Sequence, residues 1–384
     1  MIRLALKMLF GDRGKYLLLV SGLTFSTLLM TQFPSVFCGL MTWTYANMFN
    51  SRSHIWVMDP KAEQSLDSKP LRDTDVNRVR SVAGVAWAAP YFQGTLQARM
   101  PDGNFKLVTL VGLDATTLAG APALLLQGSL DELRLPNTII TDEFGLDRFS
   151  EGQRNPDGSP RRIGIGVTIE INDREARIVG VAKTRRSFTG GPFVFTTYDR
   201  AVLYAPQQRK MLTFILAAGE PGLSDEEVCR RIAAETGLRA LTEEEFRWST
   251  IWWYVRNTGI PFAIGSIVLI GAIVGMLIAA QTFHAFVLEN LRNFAALKAM
   301  GASNGRLTAM LAVQSLTTGL IGYGIGAGVA SVVLRFFVRL GKVGVYTPWQ
   351  LPVAVLGVIL LISGFSALLG IVRVTRTEPA IVFR

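Results

Sequence analysis

Four long stretches of this chain contain no Asp, Glu, Lys or Arg: Tyr16 to about Met41, Ile260 to Val287, Leu307 to Leu334, and Leu351 to Val372. About 20 mostly apolar residues in a helix cross roughly 30 Å of hydrocarbon, and each stretch meets that length. Backbone N–H and C=O groups find no water in lipid, so such stretches fold as helices that bond internally. Residues 47–256, by contrast, are broken throughout by charge, proline and glycine and read as water-soluble. The chain therefore reads as one span, an inserted domain, and three further spans.

Charge agrees with this division. Residues 47–256 hold 26 acidic and 26 basic side chains, so the formal net charge of +10 lies wholly in the apolar flanks. Basic residues at the edges of spans mark a membrane protein, and nothing here points to a nucleic-acid partner despite a pI near 9.8. Arg3, Lys7, Arg13 and Lys15 precede the first span. Arg292, Lys298 and Arg306 separate the second and third, and Arg373, Arg376 and Arg384 follow the fourth. Against these ten stand Arg335, Arg339 and Lys342. The positive-inside rule thus puts both termini in the cytoplasm of a multi-pass plasma-membrane (inner-membrane) protein, with residues 47–256 outside, in the periplasm where the host has an outer membrane. The first apolar run is too long for the core of a cleaved signal peptide and is expected to be retained. Cys38 reads as an apolar thiol in a span, and with Cys229 alone in the soluble block no disulfide framework is available.

The external block reads as α+β. Leu96, Ala98 and Met100 alternate with Gln97 and Arg99, and Pro101-Asp102-Gly103-Asn104 turns the chain into Phe105–Leu113. Val167, Ile169 and Ile171 alternate with Thr168 and Glu170 before Asn172-Asp173 turns into Ala176–Val181. Ser224 and Glu227 have capping-box spacing, with Gly237 ending the helix, and Thr242 and Glu245 repeat that spacing. No HExxH, CxxC pair, GxSxG or Ser/His/Asp set occurs, so no catalytic residue, metal or cofactor is expected and the chain reads as a non-enzyme. His54 reads as an interfacial residue. Asp142/Glu143 and Glu243–Glu245 read as solvated helix starts. Lys183, Arg185 and Arg186 read as a solvated basic loop, the alternative being a grip on an anionic headgroup. Gly11–Lys15 lacks phosphate-loop spacing, so any ATP would be bound by another chain.

Helices in lipid associate through close packing of small residues. Gly271 and Gly275 in the second span, and Gly322 and Gly326 in the third, fit that role either within one chain or at a homodimer seam. Gly22 and Ser26 mark the first span, and Pro34 a kink. Trp43, Tyr45 and Phe49, with Trp248, Trp252, Trp253 and Tyr254, fit the headgroup layer and contact with membrane lipid, or continue the spans as stalk helices. No charge within the spans offers an ion relay, which argues against a secondary transporter. Between the second and third spans, Leu288, Leu291, Phe294 and Ala295 share one helical face, and Glu289, Arg292 and Asn293 take the other. Gly301 stops this helix and Ser303 can cap the next. Ile2–Phe10 is a second amphipathic candidate.

Phe294-Ala295-Ala296-Leu297-Lys298-Ala299-Met300-Gly301-Ala302-Ser303 resembles the cytoplasmic "E-[FYI]-[AG]-x-L-K-A-[ML]-G" segment of FtsX/MacB-type (type VII) permeases of ABC transporters. Asn293 stands where that family usually has Glu, with Glu289 nearby. Arg376–Arg384 is similar to the family's closing "P-[AT]-x-[AV]-[LF]-R" tail. Leu241–Phe246 before the second span, with Leu297–Ser303 after it, is closest to the DevC-like subgroup. Ile139–Phe144, Val167–Ile169 and Ile178–Val181 are similar in pattern to the MacB-like external core domain.

The resemblance implies a membrane α-helical fold of four transmembrane helices (1+3) with an inserted α+β domain. Its parts are residues 1–46 (N-terminal helix and first span), 47–255 (external core with stalk ends) and 256–384 (FtsX-like permease domain). It also implies a homodimer on a cytoplasmic ABC ATPase, with a periplasmic membrane-fusion adaptor and an outer-membrane channel as further partners. Glu289, Arg292, Phe294, Leu297, Lys298, Gly301 and Ala302 would couple to the ATPase. The implied role is export or extraction of an amphipathic substrate (lipid, glycolipid, peptide or drug-like). The alternative is an FtsX-like transmitter that regulates an envelope hydrolase without transport.

Overall fold

A computed structural model describes residues 2–11, 13–51, 53–67, 69–155, 157–206, 212–341 and 343–375. Lys342 and the closing segment 376–384, on which part of the sequence reading rests, lie outside the described residues. In chain order the helices are α1 (Ile2–Gly11), α2 (Arg13–Thr44), α3 (Ala46–Ser51), α4 (Asp75–Arg80), α5 (Glu143–Ser150), α6 (Tyr198–Tyr204), α7 (Asp225–Thr236), α8 (Glu243–Asn257), α9 (Ile260–Glu289), α10 (Leu291–Ala299), α11 (Asn304–Leu340) and α12 (Gln350–Thr375). The strands are β1 (Ile55–Met58), β2 (Val85–Arg99), β3 (Phe105–Leu113), β4 (Leu125–Gln127), β5 (Thr138–Asp142), β6 (Thr168–Ile171), β7 (Arg174–Ala182), β8 (Phe193–Thr197), β9 (Phe214–Gly219) and β10 (Arg239–Thr242).

The chain forms two compact units, Met1–Leu40 with Thr258–Arg384, and Met41–Asn257. The sequence-based boundaries at 46 and 255 thus fall at 40 and 257. One local cause is visible: Ser65 Oγ donates to Thr44 O, so the last turn of α2 is bonded into the second unit.

In the first unit, α2, α9, α11 and α12 are each long and apolar enough to cross a membrane. Helix α2 runs through Pro34 as a single element. The bundle core joins Leu19, Leu23 and Met30 of α2 to Phe283 and Phe286 of α9, Leu307 and Leu311 of α11, and Ile359 and Ile362 of α12. Many other apolar side chains remain outward, Phe262 and Leu361 among them, as a lipid-facing surface requires.

The second unit is a ten-stranded mixed sheet in the order β10-β1-β9-β2-β3-β8-β5-β7-β4, with β6 pairing to β2 and β7. The β2–β3 hairpin pairs Arg99 with Phe105. Leu96, Ala98 and Met100 are buried while Gln97 and Arg99 are exposed, so the period-2 pattern fixes which face meets the core. The β6–β7 hairpin turns at Asn172 and Asp173, both at positive φ (50° and 59°), the geometry a two-residue hairpin requires. Trp56 is fully buried at the centre of an aromatic cluster, with Tyr91, Phe214 and Phe246 centroids at 5.3, 5.5 and 5.8 Å. Phe246 comes from α8, so burying it docks that helix on the sheet.

Ser224 caps α7 without the reciprocal bond of a capping box, since the Glu227 carboxylate accepts from Arg230 and Arg231 instead, whereas the second box is complete. Ser224 Oγ accepts from Glu227 N and Gly237 adopts the left-handed conformation after α7. Before α8, Thr242 Oγ1 accepts from Glu245 N at 3.2 Å while Glu245 Oε2 accepts from Thr242 N at 2.9 Å. In the basic loop Lys183 is exposed as expected, but Arg185 and Arg186 are half-buried and differ from the reading as solvated. The Arg185 guanidinium lies 3.4 Å from the Phe49 ring centroid and that of Arg186 4.0 Å from Phe144. The Arg185 backbone is held at both ends by the Asn50 amide. Planar, weakly hydrated guanidinium groups stack on rings more readily than lysine does.

Candidate functional site

The connection between the second and third spans carries most of the candidate residues. Helix α9 ends at Glu289, and Asn290, whose amide donates to Phe286 O at 3.0 Å, bends the chain into α10. Leu288 therefore belongs to α9, where it is exposed, and not to the amphipathic face it was expected to share. That face is made by Phe294 and Ala295, 1% and 2% exposed, which enter the bundle core beside Leu307, Met310 and Leu311. Leu291, Leu297 and Ala302 pack half-buried around them. Burying a phenylalanine is worth about 1.5–3 kcal/mol. Phe294 thereby fixes which side of α10 faces away.

The turn after α10 is a Schellman motif. Ala302 N donates to Leu297 O and Gly301 N to Lys298 O, both at 3.0 Å, with Gly301 at φ +92°. A residue with a Cβ is strained there even though the space around it is open. Ser303 occupies the N-cap of α11 with extended backbone but makes no side-chain cap bond. Its carbonyl accepts from Arg306 and Leu307 instead.

On the outward side stand Arg292, Asn293, Met300 and Gly301, with Lys298 half-buried. Met300, which is not among the residues expected from sequence to couple to the ATPase, is 75% exposed. Glu289 pairs with Lys15 at the start of α2. Helix α1 buries Ala5 and Leu9, and Gln314 Nε2 of α11 donates to Ala5 O at 2.7 Å, so this amphipathic helix lies against the bundle.

The four span glycines all face α2 of the same chain. A Cβ at Gly271 would stand 3.2 Å from Leu29, at Gly275 2.5 Å from Ser26, at Gly322 2.7 Å from Leu23 and at Gly326 2.6 Å from Thr24 O. A seam between two copies through these positions would have to displace α2. Of the aromatic residues, Trp253 Nε1 donates to Glu63 Oε2 at 2.6 Å within the second unit. Trp252 is exposed with Arg256 5.5 Å from its ring centroid, and Trp43 is half-buried on α2.

Asp142 also departs from its sequence reading. It caps α5, but buried at 1% exposure and not solvated. It accepts from Gly145 N at 2.6 Å, Phe193 N at 2.9 Å and Thr184 Oγ1 at 2.9 Å. Burial pushes its pKa up to about 6 against those bonds, which favour the ionised form. Cys229 is a buried thiol raised to about 12 by burial and then by nearby carboxylates, which makes it unreactive. Among the described residues no group of three or more His, Cys, Asp or Glu converges as a metal site would require.

Comparison with known proteins fits this architecture. The family profile of the MacB-like periplasmic core domain matches residues 22–235, and that of the FtsX-like permease C-terminal domain matches residues 248–379. An uncharacterized ABC transporter permease of Mycobacterium tuberculosis is 27% identical over 329 residues, spanning 83% of this chain and 80% of its own length. One from Mycobacterium bovis is 26% identical over 285 residues, spanning 71% of this chain and 74% of the relative. Among solved structures, the periplasmic region of MacB from Actinobacillus actinomycetemcomitans aligns at 14% identity and a TM-score of 0.38, covering 55% of this chain and 97% of that one. The first profile covers more than half of the chain and the second nearly all that follows it, around the same one-plus-three order of spans. The chain accordingly belongs to the MacB/FtsX-type permeases of ABC transporters, membrane-spanning subunits with a periplasmic domain that work with a cytoplasmic ATPase.

Proposed function

We propose that this permease converts the ATPase cycle into movement of its periplasmic domain and so exports or extracts an amphipathic substrate. Both termini and the α9–α11 connection then lie in the cytoplasm, as the ten basic residues on that side favour. The observation that carries the reading is the construction of α10. Phe294 and Ala295 anchor it in the bundle core, while Arg292, Met300 and the Gly301 turn stand outward. A push on the outward side is passed to α9 and α11 because both helices pack on the same buried side chains. Coupling requires an element with two arrangements that both ends bias, and a rigidly seated helix suits one end of it.

The family resemblance adds a homodimer of permeases on two ATPase subunits, with a membrane-fusion adaptor and an outer-membrane channel. In the periplasmic domain, Asn47 donates to Gln93 Oε1 at 2.8 Å and Ser51 Oγ lies 2.9 Å from Tyr91 Oη, so α3 is bonded to the sheet it would move. The test is ATP hydrolysis and substrate release measured together in the reconstituted complex. Arg292→Glu, Lys298→Glu and Gly301→Val should uncouple the two while the protein remains folded. Wild-type coupling in all three would refute the docking assignment. Co-purification of an envelope hydrolase in place of an adaptor would favour the transmitter alternative.

A further inference from the structure

In the connection between α11 and α12, residues 343–349 fold back on α2. Tyr346 N donates to Ser35 O at 3.0 Å and Thr347 Oγ1 to Ser35 Oγ at 2.9 Å. Gly39 and Gly344 meet backbone to backbone with no room for a Cβ at either. Between this connection, α2, the last turns of α11 and the start of α12 lies a cleft of ≈ 480 Å³. Leu334, Val338 and Val345 form apolar parts of its wall, and Thr31, Arg335 and Arg339 supply polar groups.

Two features of this cleft call for a ligand. Arg335 and Arg339, one turn apart, are exposed, and among the described residues neither is in an ion pair. Among the described residues of the membrane unit the only acidic one is Glu289, at the other end of its span and paired with Lys15. The described residues of that unit therefore offer these guanidinium groups no carboxylate, and their position opposes the charge bias that orients the other spans. The second feature is the hydroxyl of Thr31, a residue only 6% exposed, which lines the cleft without a hydrogen-bond partner. Its own carbonyl is engaged, accepting from Ser35 Oγ at 2.7 Å. A buried hydroxyl left unpaired is unfavourable unless something bound there completes it.

We propose that this cleft is a binding site for an anionic phospholipid. Arg335 and Arg339 hold the phosphate through their planar forks, the acyl chains lie along Leu334, Val338 and Val345, and Thr31 donates to an ester oxygen. Phosphate alone would leave the apolar wall uncovered, and a zwitterionic headgroup would bring a cation of its own beside the two guanidinium groups. The site does not depend on the coupling reading, since lipid retention is measured without ATPase or nucleotide.

The experiment is native mass spectrometry of the full-length protein in a neutral detergent, offered equal amounts of phosphatidylglycerol and phosphatidylcholine with identical acyl chains. Wild type should retain phosphatidylglycerol about 10- to 30-fold better, as two basic residues at a lipid surface suggest. Arg335→Gln with Arg339→Gln should bring that preference below about threefold, and the Arg→Lys pair should keep most of it. Thr31→Val should weaken retention of both lipids alike. Val338→Trp fills the cleft from an exposed position and leaves both charges, so it serves if the glutamine pair does not fold. Loss of phosphatidylglycerol in that variant supports the site. Equal retention of the two lipids by wild type would overturn it, as would undiminished preference in the glutamine pair or in Val338→Trp. Complete displacement by inorganic phosphate would identify a small-anion site and overturn the lipid assignment.

Discussion

Ser26 of α2 and Gly275 of α9 meet so closely that a Cβ on the glycine would stand 2.5 Å from the serine Cβ. The serine hydroxyl also donates to Gly271 O at 2.9 Å. In lipid the apolar contrast that drives helices together in water is absent, so close approach and interhelical hydrogen bonds decide which helices pair. The same logic recurs where Thr24 Oγ1 donates to Gly322 O at 3.3 Å, which makes α2 the helix that both glycine pairs clasp.

Gly275→Ala is therefore expected to destabilise the bundle by about 1–3 kcal/mol through overpacking, and Gly275→Val by more. Gly324→Ala is the control, because no heavy atom lies within 4 Å of the Cβ it would add. Thermal unfolding in detergent, followed by size-exclusion chromatography, measures both. Equal melting of Gly275→Ala and Gly324→Ala would contradict this packing.

Met300→Asp separates coupling from stability. The side chain is 75% exposed, so the change should shift stability by less than about 0.5 kcal/mol. If Met300 meets the ATPase, the stimulation of ATP hydrolysis by the permease should fall at least about tenfold, an apolar contact worth about 1.4 kcal/mol. Stimulation at the wild-type level would remove Met300 from the contact surface.

Asp142 carries a pH signature of definite sign. Its pKa is raised by burial from 3.8 to about 6, so between those values the folded protein binds a proton that the unfolded chain has released. Its contribution to stability falls as pH rises through that window and stays low above it, by an amount of order 2–3 kcal/mol. In Asp142→Asn, one amide hydrogen must face a backbone N–H, of Gly145 or of Phe193, so the variant is less stable than wild type at pH 4. The gap should narrow toward pH 7. Unfolding of the full-length protein from pH 4 to 8 checks this, and a gap independent of pH would show that Asp142 does not titrate in the window.

The Thr242–Glu245 box makes a fourth prediction. Each partner accepts from the backbone N–H of the other, and Thr242 Oγ1 lies 3.1 Å from Glu245 Oε2. Thr242→Ala and Glu245→Ala should each cost about 0.5–2 kcal/mol, and the double variant less than their sum. Amide hydrogen exchange in the first turn of α8 reads the loss directly. Strict additivity would mean that the two side chains act separately.

Residue order alone determined the elements whose causes are local in the chain. Four uncharged apolar runs became four spans because lipid leaves the backbone no alternative to a helix. The β2–β3 and β6–β7 hairpins, the Ser224 cap of α7 and the Thr242–Glu245 box formed where alternation, turn residues and Thr/Ser-x-x-Glu spacing placed them, since each depends on neighbours within a few positions. The turn at Gly301 is of the same kind.

What only the tertiary structure decided is who meets whom across long separations. Spacing marked Gly271, Gly275, Gly322 and Gly326 as small residues but could not say that α2 fills them, because the same pattern serves packing within and between chains. Asp142 and Glu143 are adjacent acids in the sequence, yet strands β5 and β8 bury the first and leave the second half-exposed. Arg185 and Arg186 likewise stack on Phe49 and Phe144, which the chain brings to them from 136 and 42 positions away. Burial and its electrostatic consequences depend on the whole arrangement of atoms around a group, and no local window of sequence contains that arrangement.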